Sequence, residues 1–366
     1  MNATDLRATL EERLSAVEPP AGDVERTQRA GRAIRRRRRA GTVLGAAAVV
    51  TAIAVAASQL SGPGAGSRGQ DGQEYASLGP LDFAGGARAY ADPGTTVFLG
   101  GRSFPVEDLD YLDTDAAATA YGIVFFDDGR PMLLDERGEV SALVDGPVES
   151  PRGFHPTAKA DSTAPLLAWA TLRDGTATIT VRDMESGDDV AETQLDCGTC
   201  DELVIDAIDG GVVFVRTEEG TRTWDSATDE WSDFAGPRTQ VADVRNGVVL
   251  HDGPAPAAAD GWRLVKGATD AQLTFDGRHV LSWSSRLEPT DPQGSPIQLE
   301  VGQPRQPGDY VDGFFAVDTD GSILVAHAKR YPDFTVYDCE VPSGACTELG
   351  PLTPTSGDPM FIGNDM

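Results

Sequence analysis

Apolar and polar positions divide the chain into three regimes. Near the start, Leu6, Leu10, Leu14 and Val17 recur at helical spacing, and Glu18-Pro19-Pro20 ends the pattern because proline cannot continue the hydrogen-bond ladder. From Thr42 to Leu60 no residue is charged, and a helix of that length spans roughly 28 Å, about the hydrocarbon thickness of a bilayer. Beyond residue 80 the pattern breaks into short apolar runs bounded by turn residues: GIVFF from Gly122, LLAWA from Leu166, GVVFV from Gly211, GVVL from Gly247, VLSW from Val280 and ILVA from Ile323. Their starts lie 44, 45, 36, 33 and 43 residues apart. Short β-branched or aromatic runs of this kind predict buried strands.

Several runs are followed by a second strand ending in aspartate before a turn: Leu134-Asp135, Val181-Arg182-Asp183, Trp224-Asp225 and Val336-Tyr337-Asp338. Acid–glycine pairs (Asp128-Gly129, Asp174-Gly175, Glu219-Gly220, Asp276-Gly277, Asp320-Gly321) mark tight hairpins, where glycine supplies positive φ. Four short strands in about forty residues are the signature of a β-propeller blade. Arg88 to Ala91, Thr95 to Gly100 and Ser103 to Glu107 read as three strands lacking a fourth, and Pro359 to Ile362 as a lone strand. Joined, they make one blade from both ends of the domain and close the ring, removing an exposed sheet edge. The expectation is an all-β, seven-bladed propeller, with six or eight blades as alternatives.

The other two regimes set the domain organisation: a basic helical leader (1–41), a transmembrane helix (42–60), a Gly-rich linker (61–79) and a propeller (80–366). Arg35, Arg36, Arg37, Arg38 and Arg39 stand directly before the apolar span, which places the N-terminus in the cytoplasm and the rest outside. Cleavage after Val55-Ala56-Ala57 is the rival reading, but some forty residues precede the apolar run, too many for a signal peptide's positive region. A twin-arginine signal lacks its Phe-Leu-Lys, and no cysteine follows the span to accept a lipid. A flexible linker of this length reaches on average ~25 Å. The leader is either topogenic only, or a docking segment with Leu6, Leu10 and Leu14 as its face.

Charge follows the same division. Of 30 basic and 58 acidic residues, ten and six lie in 1–41, which leaves 20 against 52 in the remainder, a balance of −32. A domain so acidic is a poor match for nucleic acid, whose phosphates need Lys and Arg.

Candidate chemistry is sparse. Cys197-Gly198-Thr199-Cys200 falls in a connection with no helical pattern behind it, so a structural disulfide is expected rather than a redox site. Cys339 and Cys346 flank Val341-Pro342-Ser343-Gly344, a turn, and should face each other across a hairpin; pairing between the two sets is the alternative. Asp108, Asp110, Asp113 and Asp115, and separately Asp318-Thr319-Asp320-Gly321, lack the spacing of a calcium loop and read as a solvated loop and a hairpin turn. His155, His251, His279 and His327 fall on different blades with no nucleophile motif beside them. Trp169, Trp262 and Trp283 read as core. No catalytic residue, metal or cofactor is expected.

Trp224-Asp225 at a strand end, the Asp-Gly turns and the forty-residue period resemble the WD40 and TolB-like propeller group. The whole chain, with its arginine-rich leader, single span and acidic propeller, is similar to membrane-anchored propeller proteins of actinobacteria. That group hosts many functions, so none carries over residue by residue; the expected role is binding, with the propeller's axial face holding a protein, peptide or glycan at the cell surface. The leader also resembles short basic segments that restrain sigma factors, which implies a transmembrane regulator as the alternative, although the His-x-x-x-Cys-x-x-Cys motif of one such family is absent. A propeller-scaffold enzyme is the third reading.

Overall fold

The chain divides into two compact units, Met1–Glu74 and Tyr75–Met366. The computed structural model describes residues 86–362 of the second, apart from 93–95, 106–115, 147, 150–155, 197–199, 201–202, 258–259, 283–285, 302–312, 331–332 and 355–359. The leader, the apolar span and the linker lie outside the described residues, and among those described no helix is long and apolar enough to cross a membrane.

In chain order, blade 1 holds β1 (Tyr90–Asp92), β2 (Thr96–Leu99) and β3 (Arg102–Pro105), and blade 2 holds β4 (Ala117–Thr119), β5 (Gly122–Asp127), β6 (Arg130–Asp135) and β7 (Val140–Ala142). Blade 3 comprises β8 (Ala158–Ala160), β9 (Leu166–Arg173), β10 (Thr176–Asp183) and β11 (Asp188–Asp196). Blade 4 comprises β12 (Val204–Asp209), β13 (Val212–Thr217), β14 (Gly220–Asp225) and β15 (Glu230–Ala235). Blade 5 has three strands, β16 (Gln240–Arg245), β17 (Val248–Asp252) and β18 (Arg263–Lys266). Blade 6 follows with β19 (Gln272–Leu273), β20 (His279–Leu281), β21 (Arg286–Pro289) and β22 (Ile297–Gln298). Blade 7 has β23 (Gly313–Val317), β24 (Ile323–Arg330), β25 (Asp333–Cys339) and β26 (Cys346–Leu352). Last comes β27 (Met360–Phe361), which pairs antiparallel with β1 and completes blade 1.

The expected shared blade is therefore present, and the described strands form a seven-bladed propeller. One expectation fails. Among the described residues blade 5 lacks a fourth strand, and β18 runs parallel to β17 instead of returning along it. The ten residues between Asp252 and Arg263, with Gly253, Pro254, Pro256 and Gly261, carry the chain back to the start of β17 before it re-enters the sheet. That crossover consumes the length a fourth strand would need.

In blades 3, 4, 5 and 7 the second strand is sandwiched between neighbouring blades, so both faces of its central residues are dry. This is why it reads as an unbroken apolar run rather than an alternation. Leu167–Ala170, Val213–Val215, Val248–Leu250 and Ile323–Ala326 are buried without interruption, whereas the outermost β11 is exposed along most of its length. The core is accordingly a ring of clusters between adjacent blades. Ala168, Ile179 and Val181 of blade 3 pack on Ile205, Val213 and Trp224 of blade 4, and Ala326, Phe334 and Val336 of blade 7 pack on Phe361 of blade 1. Trp224 is 1 % exposed, donates Nε1–H to Asp229 at 3.0 Å and stacks on Trp231.

The aspartate that ends the third strand starts the outer turn. Asp135 accepts from the N–H of Arg137 and Glu139, Asp183 from Glu185 and Ser186, and Asp225 from Ala227 and Thr228. These are Asx-type turns, in which a short carboxylate replaces a backbone carbonyl as acceptor. In blade 7 the equivalent Asp338 instead receives Arg88 of blade 1, at 2.9 Å, and the turn is closed by the Cys339–Cys346 disulfide.

A second set of aspartates joins the blades. Asp161, just after β8, accepts Gly211 N–H from the first turn of blade 4 at 3.0 Å. Asp209, at the end of β12, accepts Asn246 and Gly247 N–H from the first turn of blade 5 at 2.8 and 2.9 Å. Asp318, just after β23, accepts Ala87 and Arg88 N–H at 3.1 and 2.8 Å, across the junction between blades 7 and 1. The receiving turns are tight: Asn246 and Gly247 have φ of 51° and 75°, so their N–H groups point together toward the incoming carboxylate.

Candidate functional site

The inner strands converge on the propeller axis and enclose a cavity of about 370 Å³. Its wall is built largely of alanine: Ala117 and Ala118 from β4, Ala158 and Ala160 from β8, Ala207 from β12 and Ala242 from β16. Small side chains at these positions leave the axis open, where larger ones would fill it.

Polar groups stand at specific points of that wall. Asp161 is buried, with both carboxylate oxygens occupied: Oδ1 by the N–H and hydroxyl of Thr163, Oδ2 by Gly211 N–H. Burial pushes its carboxyl up, and the bonds from Thr163 and Gly211 pull the other way. Asp206 on β12 is also buried and meets Arg216 of the adjacent strand at 3.0 Å. Asp243 on β16 takes Arg245 Nε at 2.9 Å and Leu273 N–H of blade 6 at 2.8 Å. Arg245 is thus held at Nε, with its guanidinium 4.9 Å from the centre of the Phe275 ring, a cation–π distance. Arg245 Nη1 and Ser162 Oγ are buried and have no hydrogen-bond partner among the described residues. Tyr121 also lines the cavity; burial and the carboxylates of Glu185 and Asp183 raise its hydroxyl pKa.

The arrangement suits binding. Asp161, Asp206 and Asp243 are each engaged by N–H donors or arginines. Besides the alanines, the lining offers the fixed and stacked guanidinium of Arg245, Lys159, Asp270, Gln272 and several hydroxyls.

The residues singled out by sequence are placed elsewhere or lie outside the described residues. Cys339 and Cys346 are bonded across the blade 7 hairpin as expected. Cys200 is disulfide-bonded in the connection from β11 to β12, and Cys197 lies outside the described residues. Leu6, Leu10, Leu14, Arg35–Arg39, the acidic cluster 108–115, His155 and Trp283 lie outside them too. His251, His279 and His327 sit on β17, β20 and β24 of three blades and do not converge, and no cluster of metal-binding side chains occurs among the described residues. Trp169 is core, fully buried. Asp318-Thr319-Asp320-Gly321 does form a turn, yet the hairpin does not explain it fully: Asp318 is the acceptor that joins blade 7 to blade 1.

Sequence reading missed Asp161, Asp206, Asp243, Arg245 and Phe275, because inner strands of two to six residues rich in alanine give no apolar run. One signal was present. An aspartate stands two to five residues before the apolar run in blades 3, 4 and 7, at Asp161, Asp209 and Asp318.

No protein-family profile and no curated protein matches the chain. Among solved structures it is similar to TolB from Acinetobacter baumannii (13% identity, TM-score 0.36, covering 74% of this chain and 64% of that one). It is also similar to the Cps50 (Swd1) β-propeller domain from Myceliophteria thermophila (11% identity, TM-score 0.27, 63% and 68%). A third is a putative 6-phosphogluconolactonase from Bacteroides fragilis (11% identity, TM-score 0.33, 68% and 82%). The chain spans less than two thirds of the TolB chain it matches. These likenesses are to the fold alone.

Proposed function

We propose that this chain is a single-pass, membrane-anchored propeller whose extracytoplasmic domain is a non-enzymatic binding module, with the axial cavity as its receptor site. The observation that carries the reading is the cavity itself: an axis left open by alanines from four successive inner strands, with Arg245 fixed at its wall. A cavity of that size admits a peptide side chain or a sugar-sized group rather than a whole domain. The anchor rests on the uncharged span 42–60 and its preceding arginines.

In-cell crosslinking tests this, comparing the full chain, its Ala160→Trp variant and a version lacking residues 2–34 but keeping the arginines. Ala160 is exposed on the cavity wall, so tryptophan enters open space instead of the core. Envelope partners should be captured by the wild type, lost with Ala160→Trp, and retained when the leader is shortened. Identical capture by wild type and Ala160→Trp would sink the axial site. Capture of a cytosolic transcription factor that disappears with the leader would replace this reading by the regulatory one.

A further inference from the structure

We propose that the vacant outer position of blade 5 is a docking slot, in which an extended acidic segment of a partner protein adds to β18 as a fourth strand. This surface is separate from the axial cavity, and neither reading depends on the other.

Three observations converge there. The first is topological: among the described residues the other six blades have four strands and blade 5 has three, so β18 is an edge strand lying one position nearer the axis than the outer strands of its neighbours.

The second is the hydrogen-bond phase of β18. Arg263 N–H bonds Gly247 O at 2.9 Å and Gly267 N–H bonds His251 O at 3.0 Å. In a strand the N–H and C=O of one residue point the same way, and alternate residues point oppositely. Arg263, Val265 and Gly267 therefore face β17, while the main-chain groups of Leu264 and Lys266 face outward, with no partner among the described residues. Two consecutive outward pairs are the template for strand addition.

The third is charge. The neighbouring outer strand β15 carries Glu230 and Asp233, and β11 carries Asp188, Asp189, Glu192 and Asp196, acids that repel another acidic chain. By contrast β18 reads Arg-Leu-Val-Lys, and a groove beside it is lined by Arg263, Arg278, His279 and the prolines Pro289, Pro292 and Pro296. Arg278 is 79 % exposed, with Asp276 only at 3.7 Å. Arg263 is fixed by Gly277 O and Thr290 Oγ1 at 2.8 and 2.9 Å. Asp291, the acid in this lining, turns its Oδ1 to Gln293 N–H. Where residues 42–366 carry a balance of −32, a basic edge with free main-chain groups selects an acidic strand.

Residue-resolved amide exchange on the full-length chain tests the slot, alone and with a labelled peptide Thr-Glu-Val-Asp-Val-Glu-Thr at up to about 1 mM, the weak end of measurable affinity. In the free chain the Leu264 and Lys266 amides should exchange at least about 100-fold faster than Val265, and the peptide should slow both about tenfold. The same peptide with lysine for each acid should not bind. The doubly reversed variant K266E/R278E, whose changes lie at exposed side chains, should weaken the acidic peptide about tenfold. The proposal is overturned if Leu264 and Lys266 are already protected in the free chain: protection that persists on dilution means that a segment of this chain fills the slot, and protection lost on dilution means that a second copy does. It is equally overturned if the acidic peptide does not bind, if both peptides bind alike, or if the reversed variant binds unchanged.

Discussion

Replacing Asp318 by asparagine should change how stability depends on pH, and in a direction opposite to the usual carboxylate. Asp318 is 2 % exposed and its carboxyl is pushed up to about 6, chiefly by burial; Asp320 and Asp338 push the same way, and the N–H groups of Thr319 and Arg88 pull it down. Its ordinary value is 3.8. Because the folded state holds the proton more tightly, the stability it contributes is full below pH 3.8 and is lost as pH rises through about 6. A displacement of some two pH units corresponds to about 3 kcal/mol in all, of which about 2 kcal/mol falls between pH 4.5 and 7.5. Asparagine mimics the protonated group in shape and cannot ionise. Asp318→Asn should therefore gain about 2 kcal/mol on wild type between those two pH values. Urea unfolding of both proteins at each pH, followed by tryptophan fluorescence, reads the difference, and the other carboxylates cancel in the comparison. If the variant instead loses ground on wild type as pH rises, the N–H bonds to the carboxylate outweigh its desolvation and the reasoning is wrong.

Two further substitutions probe the ring. Asp209→Ala strips the acceptor from Asn246 and Gly247 N–H and should cost about 1–3 kcal/mol by the same unfolding assay; a change under about 0.5 kcal/mol would show that water replaces it. The double change Cys339→Ser with Cys346→Ser opens a loop with a sequence separation of only 7 and should cost about 2 kcal/mol, less than a long-range bridge would, read as a lowered melting temperature.

How much was legible follows from how strands advertise themselves. Second strands such as Leu166–Arg173 are dry on both faces and stand out as apolar runs, and the turns between strands carry Asp-Gly pairs because positive φ demands them: Asp128 and Gly129 have φ of 48° and 77°. Closure by β27 was legible because three strands at one end lacked a partner. The inner strands were not, since Ala117–Thr119 or Gln272–Leu273 is too short and too small to show a period. Blade 5 misled for a different reason. Its spacing of 33 residues to the next run is the shortest of the set, and that deficit, visible in the sequence, is the missing strand.

The acidity of the domain has two separate causes, and they explain why its surface is not uniform. One group of aspartates accepts backbone N–H: Asp135, Asp183 and Asp225 in the exposed outer turns, and the buried Asp161, Asp209 and Asp318 between blades. Their role is geometric, because a ring of sheets has few backbone bonds from blade to blade and needs side chains to fix each blade's angle to the next. The other group lines exposed edges, as on β11, where like charge discourages a foreign strand from pairing with an otherwise good template. Acid is not the guard on every outer strand, since β3, β7 and β22 carry none. What sets blade 5 apart among the described residues is that its edge lies one strand nearer the axis and is flanked by Arg263 and Lys266.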